Sequence, residues 1–365
     1  MDTLPGLLLS LIALSGEFPV SFVCRLPGAS TYNGAVVKRL KHDGLIRAYY
    51  RDGLRGLRLT AAAKRMLLAD YPGWFQTVLT GNAETNLLKS EITRRLRLHR
   101  MAEVLTLMYN AGVLTFPWEK PVLFQSARKQ TGLSISQSAY YSSREVKDIG
   151  PQSNKIRGSR ATGILLTDGG VFVVYNTAAS EMKWEYKAEM RLKALLQMEL
   201  QTLRSFGTVP NAIVFGANMA QMEWLMGNGT TRSYFVLDGN FEHFYFLTSD
   251  RYGEVLLQLL CMPSQQAALD SILLENLSAQ RPDWPIVNDG FDENGTPVLF
   301  GYTCDMPRIK RFDTALALHD QTGTLICFDF QEDTFRQICG ERVSLQCIDF
   351  NAFEGSVFYR TQETD

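Results

Sequence analysis

Residues that usually carry chemistry are few in this sequence, and those present are dispersed. Its four histidines (His42, His99, His243, His319) form no H-x-H or H-E-x-x-H spacing, which argues against a hydrolase or relaxase that gathers a metal on clustered histidines. Its six cysteines (Cys24, Cys261, Cys304, Cys327, Cys339, Cys347) contain no C-x-x-C and no paired spacing. Neither a zinc site nor a disulfide framework is expected, and reduced thiols in a cytoplasm are. No G-x-x-x-x-G-K-[ST] and no G-x-G-x-x-G occur, so a P-loop or Rossmann nucleotide site has no support, and the lack of G-x-S-x-G removes a nucleophile elbow. The apolar opening LPGLLLSLIALSG lacks a basic lead and carries Asp2; a buried first helix is expected there, with neither a signal peptide nor a membrane span.

What is present is the composition of a soluble globular protein, and 365 residues suggest two or three domains. The net charge of -1 conceals an asymmetry: up to Thr115 there are 15 Lys and Arg against 8 Asp and Glu, and beyond it 22 against 30. A basic third on an acidic body points to a polyanion as partner of that third.

Within the basic third, Leu7, Leu8, Leu11, Ile12 and Leu14 recur at helical spacing, and a second short helix is expected after Pro19. Pro27-Gly28 makes a turn, Ser30 or Thr31 can cap a third helix, and Val36, Val37, Leu40 and Leu45 supply its buried stripe. Tyr32, Asn33, Lys38, Arg39 and Lys41 fall on the opposite face. Two strands, Ile46 to Arg51 and Leu57 to Leu59, follow around an Asp52-Gly53 turn, and Thr60 caps the next helix. Arg47, Arg51, Arg55 and Arg58 would then lie on or beside a two-stranded wing. Residues 84–112 have a helical pattern with Arg94, Arg95, Arg97 and Arg100 close together; they either extend a nucleic-acid surface or bridge to the acidic body.

This order of elements, with KHDGLI leading to the wing and LRLTAAAKRML closing it, resembles the winged helix-turn-helix family over about residues 4 to 72. The resemblance implies double-stranded DNA as partner, with one helix offering polar side chains to the major groove and arginines neutralising phosphates. Tyr32, Asn33, Lys38 and Arg39 are expected at the groove and Arg51, Arg55 and Arg58 at the backbone, with Lys41 and Arg47 as further DNA-binding residues.

After FPWEKP the pattern changes to alternating strands and helices, which reads as an α/β domain on a largely buried mixed sheet. RATGILLTDGGVFVVYNT is a hairpin, and a helix from about Met182 to Phe206 follows it. Asp168 near the hairpin and Glu185-x-Lys187 after it outline a PD-(D/E)XK nuclease site, with Glu145 as a further candidate acid. In such a site Glu and Lys stand two apart on a strand and so share a face. Here the E-x-K belongs to a helical pattern, where positions two apart diverge by about 200°. The intervening strand offers Val174-Tyr175-Asn176 without an acid. Asp168 is explained by turn chemistry, and the Tyr140-Tyr141 pair as a half-buried aromatic pair.

The stretches LIRAYYRDGLRGLRLT, RLHRMAEVLTLMYNAGV and LLTDGGVFVVYNTA together resemble the replication-relaxation proteins of plasmids and integrative mobile elements, over most of residues 4 to 200. That resemblance implies an α+β or α/β multidomain chain: a winged helix-turn-helix domain over 1–75, a basic linking helix over 76–118, and a nuclease-like, non-catalytic α/β domain over 119–365. It further implies a cytoplasmic DNA-binding accessory of mobile-element replication or transfer, with a relaxase or another mobile-element protein as partner. No metal or other cofactor is expected unless the chain is an active nuclease using Asp168, Glu185, Lys187 and Mg²⁺. A ligand-responsive transcriptional regulator is the remaining alternative.

Overall fold

A computed structural model of the chain describes residues 3–124, 137–146, 148–149, 154–155, 158–181, 183–202, 209–227, 235, 237, 239–279 and 283–358. It is a mixed α+β chain that divides into two compact units, Met1–Leu123 with Ala139–Ser142, and Phe124–Ser138 with Ser143–Asp365. Among the described residues no helix is long and apolar enough to cross a membrane.

In the first unit, α1 (Leu4–Ser15) is apolar all round and is correspondingly buried from Leu7 to Ser15. Thr3 accepts the Gly6 amide and Pro5 sits in the first turn. Gly16, at φ +94°, ends the helix where a Cβ would lie 2.9 Å from a Leu88 methyl. A short strand, β1 (Phe18–Pro19), leads into the expected short second helix, which is of the 3₁₀ kind over Val20–Arg25. The helix α2 (Ser30–His42) buries Val36, Val37 and Leu40 as its spacing dictates, but Ala29 stands at its cap and makes no side-chain bond. The strands β2 (Ile46–Arg51) and β3 (Leu54–Leu59) close through Asp52 and Gly53, both at positive φ, the geometry a tight two-residue hairpin requires. The sheet order is β1-β3-β2, all antiparallel.

Thr60 caps α3 (Ala61–Asp70) through Ala63 N at 3.2 Å, and α4 (Pro72–Leu79) follows. The expected linking helix is instead integral to this unit: α5 (Ile92–Asn110) buries Leu98, Met101, Ala102, Leu105 and Met108 and packs on α1. A strand β4 (Ala139–Ser142) carries Tyr140 and Tyr141, which are fully buried rather than half-buried, with the Tyr141 hydroxyl donating to Pro121 O.

The second unit opens with a two-stranded hairpin, β5 (Asp148–Ile149) and β6 (Asn154–Lys155). The hairpin β7 (Gly163–Thr167) and β8 (Gly170–Ala178) follows, then α6 (Tyr186–Thr202), β9 (Asn211–Gly216), α7 (Ala220–Gly227) and β10 (Phe244–Thr248). The expected ends of α6, Met182 and 203–206, and most of the strand expected over 233–239 lie outside the described residues. Strands β8, β9 and β10 run parallel and are almost wholly buried, as continuous apolar runs covered on both faces should be.

Beyond α8 (Arg251–Cys261) and α9 (Pro263–Leu274), a second sheet forms in the order β11-β12-β13-β14 from Gly290–Phe291, Pro297–Phe300, Gly323–Phe328 and Val343–Ile348, with α10 (Met306–Leu318) and α11 (Glu332–Ile338) as crossovers and α12 (Phe350–Phe358) last. Where one mixed sheet is expected, the described residues form two, beside the two-stranded β5–β6 hairpin. The break falls at Cys304, whose carbonyl accepts from Phe246 N on β10 at 3.0 Å. Cys304 is at φ +54° and Asp305 starts α10, so pairing stops after this one bridge.

Candidate nucleic-acid interface

The β2–β3 hairpin is an exposed, cationic feature of the first unit. Arg47, Arg51 and Arg55 are exposed on β2 and β3, and Tyr50, 71% exposed, stands across from Arg55. On α2, Tyr32 is 56% exposed, Lys38 and Arg39 are exposed, and Lys41 is half-buried. Arg39 lies 3.8 Å from Asp43 with both side chains largely in solvent, a weak pairing that leaves its charge available.

Two expected contact residues are corrected. Asn33 is fully buried, and its amide donates to the carbonyls of Val23 at 3.3 Å and Leu26 at 2.8 Å, tying α2 to the preceding 3₁₀ turn. Arg58 is buried too. Its Nε donates to Glu17 Oε2 at 2.7 Å and its Nη2 to Lys89 O at 3.2 Å, so it has no reach to a DNA backbone.

Arg58 belongs to a closed ionic cluster that composition and period did not reveal. Glu17, with no exposed surface, receives Arg58 on one oxygen and Arg95 Nη2 at 2.5 Å on the other, with His99 Nε2 2.9 Å away. Burial raises the Glu17 carboxyl, but the bonds from His99, Arg95 and Arg58 outweigh it and hold the group at about 2. Arg95 reaches past Glu17 into the β2–β3 hairpin, donating to the carbonyls of Tyr49 (3.2 Å), Arg51 (2.9 Å) and Leu54 (2.9 Å). Arg58 and Arg95 also flank the Tyr49 ring. Glycine is required at 56 because a Cβ there would lie 2.1 Å from Glu17 Oε1. Thus α5 fastens the β2–β3 hairpin while Arg47, Arg51 and Arg55 remain exposed. The available signal was a lone acid after an apolar helix, together with Arg95, Leu98, His99 and Ala102 sharing one helical stripe.

In the second unit, the nuclease outline does not assemble. Asp168 is exposed in the two-residue turn between β7 and β8. Glu185 and Lys187 are exposed at the start of α6, beyond the other end of β8. That strand's nine residues place the two ends roughly 25 Å apart. Glu145 sits half-buried in a turn after β4, and Val174 is wholly buried. The acid that does face β8 is Glu189 on α6, which was not singled out. It is buried and accepts from the hydroxyls of Tyr175 and Ser159, both at 2.8 Å, and from Arg160 N at 2.7 Å. Burial raises its carboxyl and outweighs these three hydrogen bonds and the nearby charge of Arg160, all of which lower it. Among the described residues no three His, Cys, Asp or Glu are arranged to hold a metal ion.

Two other features of this unit have chemical potential. His243 Nδ1 lies 2.6 Å from Asp305 Oδ2, while Asp305 Oδ1 accepts from Phe244 N; the bond to Asp305 raises the imidazole above its ordinary range. A cleft of about 620 Å³ opens between α7, α10 and α11, with Trp224 and Ile309 beside Lys310, Asp313, Gln337 and Cys339. Compared with known proteins, the chain matches no family model, no curated protein and no solved structure.

Proposed function

We propose that this chain is a double-stranded-DNA-binding protein in which a winged helix-turn-helix reads DNA. The observation that carries it is the run α1, β1, 3₁₀ turn, α2, β2, β3 with sheet order β1-β3-β2, bearing three exposed arginines on a hairpin fastened from behind. Tyr32, Lys38, Arg39 and Lys41 face the groove, and Arg47, Arg51 and Arg55 the phosphates, with Tyr50 added to the wing contacts. The second unit, resembling a nuclease scaffold in its hairpin, crossover helix and parallel strand, acts as a non-catalytic platform for docking a relaxase or another mobile-element protein. The whole is a cytoplasmic accessory of mobile-element replication or transfer.

Fluorescence anisotropy on labelled duplexes of several sequences tests the first step. Affinity should fall steeply with salt, and Arg51→Ala and Arg55→Ala should each flatten the log–log slope by roughly 0.9 on every sequence. Binding that ignores salt, or no binding to any duplex, sinks the proposal. Incubating supercoiled plasmid with the protein and Mg²⁺ or Mn²⁺ tests the scaffold role: the plasmid should stay intact, whereas cleavage abolished by Asp168→Ala would make the chain a nuclease. The cleft between α7, α10 and α11 favours one second reading, a regulator whose DNA affinity answers to a small molecule. A metabolite that raises the melting temperature and shifts duplex affinity together would support it.

A further inference from the structure

Cys327 and Cys347 occupy one register position on adjacent parallel strands, β13 and β14. Paired positions leave a sheet on the same face, and neighbouring strands lie about 4.8 Å apart, within the roughly 4.4–6.8 Å that a disulfide accepts between Cα atoms. The two Sγ atoms are 3.9 Å apart. Cys327 is buried, whereas Cys347 lies on the edge strand and is exposed. Cys304, the other buried thiol, is held by Gln331, whose Nε2 lies 3.1 Å from its sulfur.

We infer that Cys327 and Cys347 form a disulfide modification site, closed by exchange with a small-molecule disulfide of the glutathione kind. The Cys347 thiolate attacks one sulfur of the reagent, whose S–S bond breaks and releases one thiol. Cys327 then loses its proton and attacks the Cys347 sulfur of the mixed disulfide, releasing the second thiol. The two protein thiols are oxidised by two electrons, the reagent is reduced to two thiols, and the two protons leave with them. Burial raises both thiols, which slows the first attack at neutral pH. It also denies the open pair thiolate stabilisation, so the closed bond resists reduction. Closure would fasten β14, an edge strand with one unpaired side, across the segment that contains α11.

The test is to incubate the full-length protein with oxidised glutathione, block the remaining thiols and map peptides without reduction. Wild type should yield a linked Cys327–Cys347 peptide with glutathione retained on neither. Cys327→Ser should trap glutathione on Cys347, and Cys347→Ser, a change at an exposed position, should abolish the link and leave Cys327 unmodified. Cys24, exposed in the first unit, retains glutathione throughout and shows that the reagent is active. Three results would overturn the inference: glutathione kept on Cys347 as stably in wild type as in Cys327→Ser, Cys347 unreacted while Cys24 is labelled, or a link from Cys327 to Cys304.

Discussion

Each unit buries a glutamate, and the two carboxyls are shifted in opposite directions. Glu17 meets Arg58, Arg95 and His99 and is pulled down to about 2. Glu189 meets two hydroxyls and one backbone amide and is raised. Burial acts alike on both; what differs is whether cations arrive with the donors. The cluster around Glu17 holds its charge in fixed geometry and positions the β2–β3 hairpin, whereas Glu189 is a polar plug between α6 and β8.

One substitution made at both sites separates these roles. Glu17→Gln leaves Arg58 and Arg95 buried with their partner's charge removed, and the loss should be about 3–5 kcal/mol. Urea denaturation followed on the first unit's tyrosines would read it. A loss below about 1 kcal/mol would mean that the cluster contributes little and that the wing is held by packing alone.

How much of this was legible depends on whether the signal was local. The strands β2 and β3, the Asp52-Gly53 turn, the Thr60 cap and the β7–β8 hairpin all follow from short-range pattern and turn chemistry, and their expected positions agree within a few residues. The cluster unites positions 17, 58, 95 and 99, and no local period brings those together. A basic residue in sequence looks the same whether it faces solvent or a buried acid, so Arg58 was assigned to DNA and α5 to a linker. Asn33 failed for a related reason: a polar residue on a presumed outer face was needed by two carbonyls from the preceding turn. The E-x-K was correctly assigned to a helical pattern as far as Lys187 is concerned, because period separates helix from strand directly. Glu189 escaped notice because an acid in a helix is ordinary until its neighbours are known.

Acid should reveal the same contrast more gently. Glu17 has a folded value of about 2, below its unfolded value near 4.5. Its contribution is fully present above about 4.5 and is lost as pH falls toward 2, about 3 kcal/mol in all. Glu189 has the opposite sign: its folded value is raised, so protonation favours the folded state as pH falls through that value. Melting curves between pH 6 and pH 2, pH values chosen from about these two limits, should therefore show the first unit weakening before the second. Simultaneous loss of both units would break the comparison.

The arginines sharpen it further. Arg58→Ala should lower stability by several kcal/mol, on the order of a broken buried pair, and reduce DNA binding only through unfolding. Arg55→Ala should leave stability within about 0.5 kcal/mol and weaken duplex binding directly. Melting temperature and anisotropy measured on both variants distinguish the two. Equal stability with equal loss of binding would return Arg58 to the DNA surface.

The smallest effect belongs to Glu189→Gln. The new carbonyl can keep the Arg160 amide, while the new NH₂ faces the hydroxyls of Ser159 and Tyr175, which can turn to accept instead of donate. No cation hydrogen-bonded to Glu189 through its side chain loses a partner, only the nearby charge of Arg160 loses a counter-charge, and a carboxyl whose charged form burial disfavours is replaced by a neutral group of the same shape. The cost at neutral pH should therefore stay under about 1 kcal/mol, and the acid dependence from Glu189 should vanish. A loss as large as that of Glu17→Gln would show that Glu189 is ionised and strongly held, and that the two buried glutamates are alike after all.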